Sequence, residues 1–376
     1  MKDQFMKLKT IILLSFLMII AASIPSCIEL VDADYSYQDN VIFIDAYALT
    51  EAGTSTVTIS RSRWDEISYS VKLIPNAKVQ LENIDAGLTI DFTTGITGVY
   101  VCPPDFAVEE GEVWKLYIEL EDGRKFESEP ETVKATIPID EIKSEYSTEL
   151  VYNAAQEEFV PGHRISIDWQ DPVGEENYYL WKYKTFEPLY VCKTCVKGIY
   201  RNGSCQPPAN NFGPEYFDYL CDPDCWQIKY EEKTIIFEDR LSDGAVIKNK
   251  EIVLLPFYRR PDILIEVQQL SLNESGYNYF KIINDLVSAS GGLNAPPAAP
   301  LLGNLFNPDD PSEIVLGQFT AAGVSSKFIF IDRSTIQENP FRPDDLIILE
   351  PCASCPQSYP CEESLTRTSI EPEGWQ

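Results

Sequence analysis

Ten cysteines and a single histidine bound the chemistry open to this 376-residue chain. Cys192 and Cys195 form one C-x-x-C pair and Cys352 and Cys355 another, the spacing of a zinc-ribbon knuckle. Cys205, Cys221 and Cys225 follow the first pair, and Cys361 follows the second. These eight thiols make an even number, which suits disulfides in an oxidising compartment and zinc in a reducing one. Disulfides are the expectation, including at least one between the two groups, with zinc or free thiols as alternatives; connectivity stays open. Cys102 is then the odd thiol, expected beside its strand in a core. A redox role is disfavoured, since neither pair opens a helix in a βαβ context.

His163 is the only histidine, which rules out multi-histidine metal centres and leaves one possible base for a serine or cysteine nucleophile. It follows Pro161-Gly162 at the start of a predicted strand, where a surface or edge histidine is the ordinary reading. The chain has no G-x-S-x-G elbow, P-loop or dinucleotide-binding glycine pattern. Asp168 and Asp171, flanking Trp169, are the most cleft-like candidates for a glycosidase-like pair, but an acidic strand end is the default reading. Asp309 and Asp310 lack the alternating oxygen ligands of an EF-hand and read as a turn. No catalytic residue, metal or cofactor is assigned.

The tenth cysteine, Cys27, stands apart. Lys2, Lys7 and Lys9 precede the almost wholly apolar run 11–22, which has the form of an export signal and is shorter than the about 18 to 20 residues of a membrane span. Ile24-Pro25-Ser26-Cys27 resembles a bacterial lipobox. Cys27 is therefore expected to be the lipidated first residue after removal of 1–26, and residues 27–38 a tether. An ordinary signal peptide is the alternative. Removing 1–26 takes away three lysines and one aspartate (Asp3), moving the formal charge from −29 to −31. Such an excess of carboxylates argues against nucleic acid and anionic head groups as partners.

These residues need a scaffold, and the hydrophobic pattern suggests a mainly β one. From about 39 to 138, Val57 and Ile59, Val79 and Leu81, Leu88, Ile90 and Phe92, and Trp114 to Leu120 alternate with polar residues. Asp122-Gly123 marks a hairpin. The spacing predicts an antiparallel immunoglobulin-like sandwich. After the connector "ATIPIDEIKSEY", residues 139–350 are expected to form a second β-rich domain. It carries a Cys-rich insertion at about 187–227 and a covering helix at about 272–288, opened by a capping box at Ser271 to Glu274. A Cys-containing tail, 351–376, closes the chain. Aromatic residues crowd the second region beyond the needs of one sheet face. Tyr190, Tyr216, Phe217, Tyr219 and Trp226, within the insertion, are the candidates for an exposed binding surface.

Together "SCIELVDADY", "EDGRKFESEPETV", "IDWQDPVGEENYYLWKY", "YNYFKIINDLVSASGG", "NPDDPSEIVLGQFTAAGVSSKFIFID", "CASC" and "PEGWQ" resemble domain-of-unknown-function family 4249, lipoproteins of the Bacteroidota. The resemblance implies an outer-membrane lipoprotein, often encoded beside TonB-dependent receptors, and supplies no catalytic residues. Glu29, Asp32 and Asp34 look like the acidic tethers associated with surface display in that phylum, with periplasmic or external facing left open. The expected function is thus a lipid-anchored binding protein of the cell envelope, accessory to an outer-membrane β-barrel receptor or transporter, its ligand undefined. A surface hydrolase acting on glycan or peptide and a purely structural envelope lipoprotein are the alternatives.

Overall fold

The computed structural model describes residues 40–376 apart from 65–67, 96–97, 197–198, 202–203, 208–216, 223–224, 232, 290–300, 342–346, 353–360 and 362. For 69, 190–196, 199–201, 205, 217–222, 289 and 347–352 the backbone alone is described. Cys27, Tyr216 and Cys355 lie outside the described residues, as do the side chains of Tyr190, Cys192, Cys195, Cys205, Phe217, Tyr219, Cys221 and Cys352.

The first strands are β1 (Ile42–Leu49), β2 (Thr56–Trp64), β3 (Tyr69–Leu73), β4 (Lys78–Asn83), β5 (Leu88–Thr94), β6 (Val99–Val101), β7 (Val113–Glu119), β8 (Lys125–Ser128) and β9 (Glu131–Thr132). Their alternating apolar residues meet in one core: Ile42, Ile44 and Ala46 of β1, Val57 and Ile59 of β2, Val79 and Leu81 of β4, and Trp114, Leu116 and Ile118 of β7. A strand carrying apolar side chains at every second position buries one whole face, which sets its register. Cys102 is buried in this core as a free thiol.

Next come β10 (Ile139–Asn153), β11 (Glu158–Gln170), β12 (Tyr178–Pro188), β13 (Tyr190–Val196), β14 (Ile199–Arg201), β15 (Ser204–Gln206) and β16 (Phe217–Asp222). They lead to β17 (Trp226–Tyr230), β18 (Ile235–Glu238), β19 (Val246–Pro256), β20 (Ile263–Leu272) and helix α1 (Glu274–Ala289). The chain ends with β21 (Leu305–Phe306), β22 (Val315–Ile331), β23 (Ile347–Cys352) and β24 (Arg367–Thr368). The three-stranded sheet β10-β11-β19 faces β12, β20 and β22 across a second core of Ile165, Ile167, Trp169, Tyr179, Trp181, Ile265 and Val267. The fold is mainly β, two sandwich-like layers deep, with one helix among the described residues.

One strand joins the two cores. β22 pairs parallel with β1 (Ile44 opposite Gly317) and antiparallel with β20 (Ile265 opposite Ile329). At about 3.3 Å per residue, its 17 residues span about 56 Å. Its odd-numbered side chains enter the first core at Val315, Phe319 and Ala321 and the second at Ile331. Between the two, the connector crosses β22 at Gly323, where an added Cβ would lie 2.6 Å from the Lys134 carbonyl oxygen and 2.6 Å from the Thr136 nitrogen. Residues 39–376 form one compact unit. The change of core falls beside the expected border at 138/139, with Ile137 already in the second core, and Leu305 and the first half of β22 return to the first one. The open edge of β1 takes a partner far along the chain, a pairing that local alternation does not encode.

One local expectation is corrected. The helix begins at Glu274, with the Tyr277 amide bonded to the Asn273 carbonyl at 3.0 Å; Ser271 is still in β20, opposite Gly323. The capping-box spacing is met in sequence, but strand pairing takes Ser271 first. Among its described residues the Cys-rich insertion carries strands: β13 pairs antiparallel with β16 and parallel with β23 of the tail, and β14 pairs with β15. Among the described residues no helix is long and apolar enough to cross a membrane.

Candidate functional site

The sheet face opposite the second core is apolar at both ends and charged in the middle. Even-numbered residues of β12 run Leu180, Lys182, Lys184, Phe186, and those of β20 run Leu264, Glu266, Gln268, Leu270, Leu272. At one end Leu180, Leu270 and Leu272 are covered by Tyr277 and Phe280 of α1. At the other end Phe186 and Leu264 are covered by Trp226 and Trp375 of the C-terminal tail. Between these covers a cleft of about 310 Å³ is lined by Lys182, Lys184, Tyr230, Glu231, Glu266 and Gln268 from the sheet and by Tyr47, Gly53, Thr54 and Thr56 from the first sandwich. A second hollow of about 160 Å³ shares Tyr47, Lys182 and Glu231 with it and reaches Lys233, Thr234 and Phe280.

The cleft floor is built by strand register. Lys184 stands opposite Tyr230 on one side and Glu266 on the other, so the three side chains share one face in a row. Lys184 Nζ lies 2.7 Å from Glu266 Oε2. Lys182, two residues earlier and opposite Gln268, holds its ammonium 4.0 Å from the centre of the Tyr47 ring. The Glu231 carboxylate accepts the Tyr183 amide at 3.3 Å. The opposing wall is pinned. Thr50 Oγ1 accepts the Val324 amide at 3.0 Å, and Ser326 Oγ donates to Glu51 Oε2 at 2.7 Å. Gly53 makes the bend between them with φ +74°, and an added Cβ would lie 2.9 Å from the Pro104 carbonyl oxygen.

Burial dominates the electrostatics of the cleft. It pushes the Glu266 carboxyl up from its ordinary range, against the pull of Lys184, and does the same to Glu231 against Lys182. The phenols of Tyr47 and Tyr230 are likewise raised by burial, Tyr47 strongly, with Asp45 adding to the one and Glu231 to the other. Two lysines and two glutamates therefore face one another in a partly dry, charge-balanced recess. Buried charge in the middle of a sheet face weakens a core, and Glu266, its side chain 8% exposed, occupies such a position.

A second cluster joins Asp171, Asp239 and Asp243, whose carboxylate oxygens lie within 4.8 Å of one another. Asp171 accepts the Tyr179 hydroxyl and, at 2.9 Å, the Gly244 amide; Asp239 accepts the Asn177 amide at 3.0 Å; Asp243 accepts the Gly174 amide at 2.7 Å. Burial, then the neighbouring Asp239, raises the Asp171 carboxyl. These oxygens are of the type that holds a hard cation. Their hydrogen bonds fasten the loop after β11 to the loop before β19.

The residues singled out from sequence fall elsewhere. Trp226 is buried, packed edge-on against Trp375 with ring centres 5.8 Å apart, because the tail folds back over it; it offers no exposed contact. Trp169, Tyr179 and Trp181, part of the aromatic surplus, are fully buried core residues. His163 is neither at the surface nor on an edge strand. It is 6% exposed on β11, the middle strand of its sheet, with Nδ1 2.9 Å from Ser144 Oγ and Nε2 without a partner. Asp168 bonds Lys143 and accepts the Asn249 amide at 2.7 Å, which holds its carboxyl below the usual range, the backbone bond contributing most. Asp309 and Asp310 donate their amides to Asn307 Oδ1 in a plain turn. Of the cysteine candidates, Cys225 and Cys361 form a disulfide that ties insertion to tail.

Sequence reading missed the cleft. The signal was present as Leu-x-Lys-x-Lys-x-Phe in β12 and Leu-x-Glu-x-Gln-x-Leu in β20: charge at alternate positions inside strands otherwise buried on both faces.

These features define a mainly β protein of two joined sandwiches with a polar cleft on a shared sheet face. The family model for the domain of unknown function DUF4249 matches residues 28–328, and the chain belongs to that family. The cleft residues all lie within the matched segment, whereas Cys361, β24 and Trp375 lie beyond it. No match to a curated protein accompanies it.

Proposed function

We propose that this chain is a lipid-anchored cell-envelope protein that binds a polar ligand in the cleft between β1, β12, β17 and β20. In this reading it serves as an accessory to an outer-membrane receptor or transporter of the TonB-dependent kind. The observation that carries the binding role is the pair of lysines and pair of glutamates that line a cleft on a sheet face whose two apolar ends are packed over. The lipobox-like Ile24-Pro25-Ser26-Cys27 and the acidic residues after it support the anchor at Cys27. One acyl chain holds a membrane only marginally and two or more hold it stably. The family resemblance supports the receptor partner.

Detergent extraction of the tagged full chain, followed by affinity capture, tests the accessory role. Recovery of an outer-membrane β-barrel with the wild-type chain is expected, together with loss of fatty-acid mass from Cys27→Ser. Capture that yields no β-barrel contradicts the accessory role.

A hydrolase acting on glycan or peptide is the second reading. It is favoured by one observation: Glu231 and Glu266, both raised by burial, line the same cleft, and a raised carboxyl is what a general acid needs. Product formation that Glu231→Gln or Glu266→Gln abolishes would establish it over simple binding.

A further inference from the structure

We propose that the ligand of this cleft is a neutral carbohydrate, held by stacking on Tyr230 and by hydrogen bonds to Lys182, Glu231, Glu266 and Gln268. The proposal rests on the reading of the cleft as the ligand site.

The charges of the recess are matched before any ligand arrives. Lys184 is already paired to Glu266 at 2.7 Å, and Lys182 faces the Tyr47 ring and the Glu231 carboxylate. An anionic ligand would meet Glu231 and Glu266 as well as the two lysines, and a cationic one Lys182 and Lys184 as well as the two glutamates, so neither gains a net charge attraction from the recess. A ligand dense in hydroxyls needs none, because every hydroxyl both donates and accepts. Lysine ammoniums, glutamate oxygens, the Gln268 amide and the hydroxyls of Thr54 and Thr56 supply both roles. Charged partners make the stronger hydrogen bonds, so a balanced set of them binds a neutral polyol well.

Tyr230 supplies what a purely polar site lacks. It is 48% exposed, in register with Lys184 and Glu266, on a strand that ends beside the cleft. An amphipathic ring standing half in water beside a row of polar groups suits the apolar face of a pyranose. Of the aliphatic side chains only Leu49 lines the cleft. Most small-molecule pockets place a few polar groups in an apolar lining; here Lys182, Lys184, Glu231, Glu266 and Gln268 share the lining with the aromatic residues Tyr47, Tyr183 and Tyr230.

The test is titration calorimetry on the detergent-solubilised full chain. The saccharide probes are maltotetraose, cellotetraose, mannotetraose and xylotetraose; tetraalanine, tetralysine and tetraglutamate are the peptide probes. At least one saccharide is expected to bind, with affinity changed less than about twofold when sodium chloride rises about tenfold, since a neutral ligand is not screened. Tyr230→Ala is expected to weaken that binding by about tenfold, and Glu231→Gln by a similar factor, with unchanged melting temperatures. Peptide binding that Tyr230→Ala weakens overturns the carbohydrate assignment and leaves the cleft as ligand site. Saccharide binding indifferent to both variants overturns the cleft itself. Failure of every probe overturns both.

Discussion

Lys184 and Glu266 form a 2.7 Å ion pair between two neighbouring central strands, on the stretch of their sheet face between the apolar end packed by the helix and the apolar end packed by Trp226 and Trp375. The Glu266 side chain is 8% exposed and that of Lys184 35%. Exposed ion pairs contribute little and buried ones cost desolvation, so this pair is a poor stabilising device. Its position is better explained by what approaches it from the cleft.

Glu266→Gln separates those two roles. Burial raises the Glu266 carboxyl, so its stabilising contribution is present below the unfolded-state range of a glutamate and is lost as pH rises through the folded-state range. Removing the charge removes that loss. Urea unfolding at pH 7 is expected to give equal or greater stability for the variant, with a weaker ligand interaction. A loss of more than about 2 kcal/mol would make Glu266 a structural residue.

His163 makes the opposite prediction. Burial, then the nearby Arg333, pushes its imidazole down to about 4. The unfolded chain therefore takes up a proton between about pH 6.5 and 4 that the folded chain refuses, and stability falls as pH falls through that window. His163→Gln should flatten the slope there relative to wild type and leave stability above pH 7 nearly unchanged. Equal slopes for the two chains between pH 6.5 and 4 would rule out a buried neutral histidine.

Much of this architecture is legible in the sequence, and the reasons for the gaps are physical. Val57, Ile59, Val79, Leu81, Trp114 and Leu116 alternate because each strand buries one face, and the structure places all of them in one core. Tyr277, Phe280 and Ile283 recur on one helical face and pack on the sheet. The parallel pairing of β1 with β22 joins residues more than 270 positions apart, and no local pattern reports it. The aromatic surplus around Trp169 and Trp181 finds its place as core once the β10-β11-β19 sheet is laid over it, a packing of two sheets that composition does not report. The cleft escaped for a related reason: Lys182 and Lys184 look like a solvated strand until β20 on one side and β17 on the other show that β12 is central.

Gly323 is predicted to be irreplaceable at the crossing of the two cores. A methyl group there would press against the backbone of Lys134, Ala135 and Thr136, where no flexible side chain can yield. Gly323→Ala is expected to cost about 1–3 kcal/mol by the overpacking seen in tight cores. Thermal unfolding of the variant checks it, and an unchanged midpoint would show that the connector does not lie against β22.

The Cys225–Cys361 bridge closes a loop of 136 residues and holds the tail near β17. Cys361→Ser is expected to lower stability by about 2–4 kcal/mol and to increase Trp226 and Trp375 exposure, since their contact depends on the returned tail. Chemical denaturation with tryptophan fluorescence reads both effects. Binding in the cleft should survive at temperatures where the variant is folded, because no cleft residue belongs to the tail.

The most direct measurement of the central claim is a crystal structure of the full chain soaked with the saccharide that titrates. The account predicts difference density in the cleft, a ring stacked on Tyr230 and hydroxyls within hydrogen-bond reach of Lys182 and Glu266. Density for the sugar elsewhere on the chain, over a cleft filled by solvent alone, would contradict it.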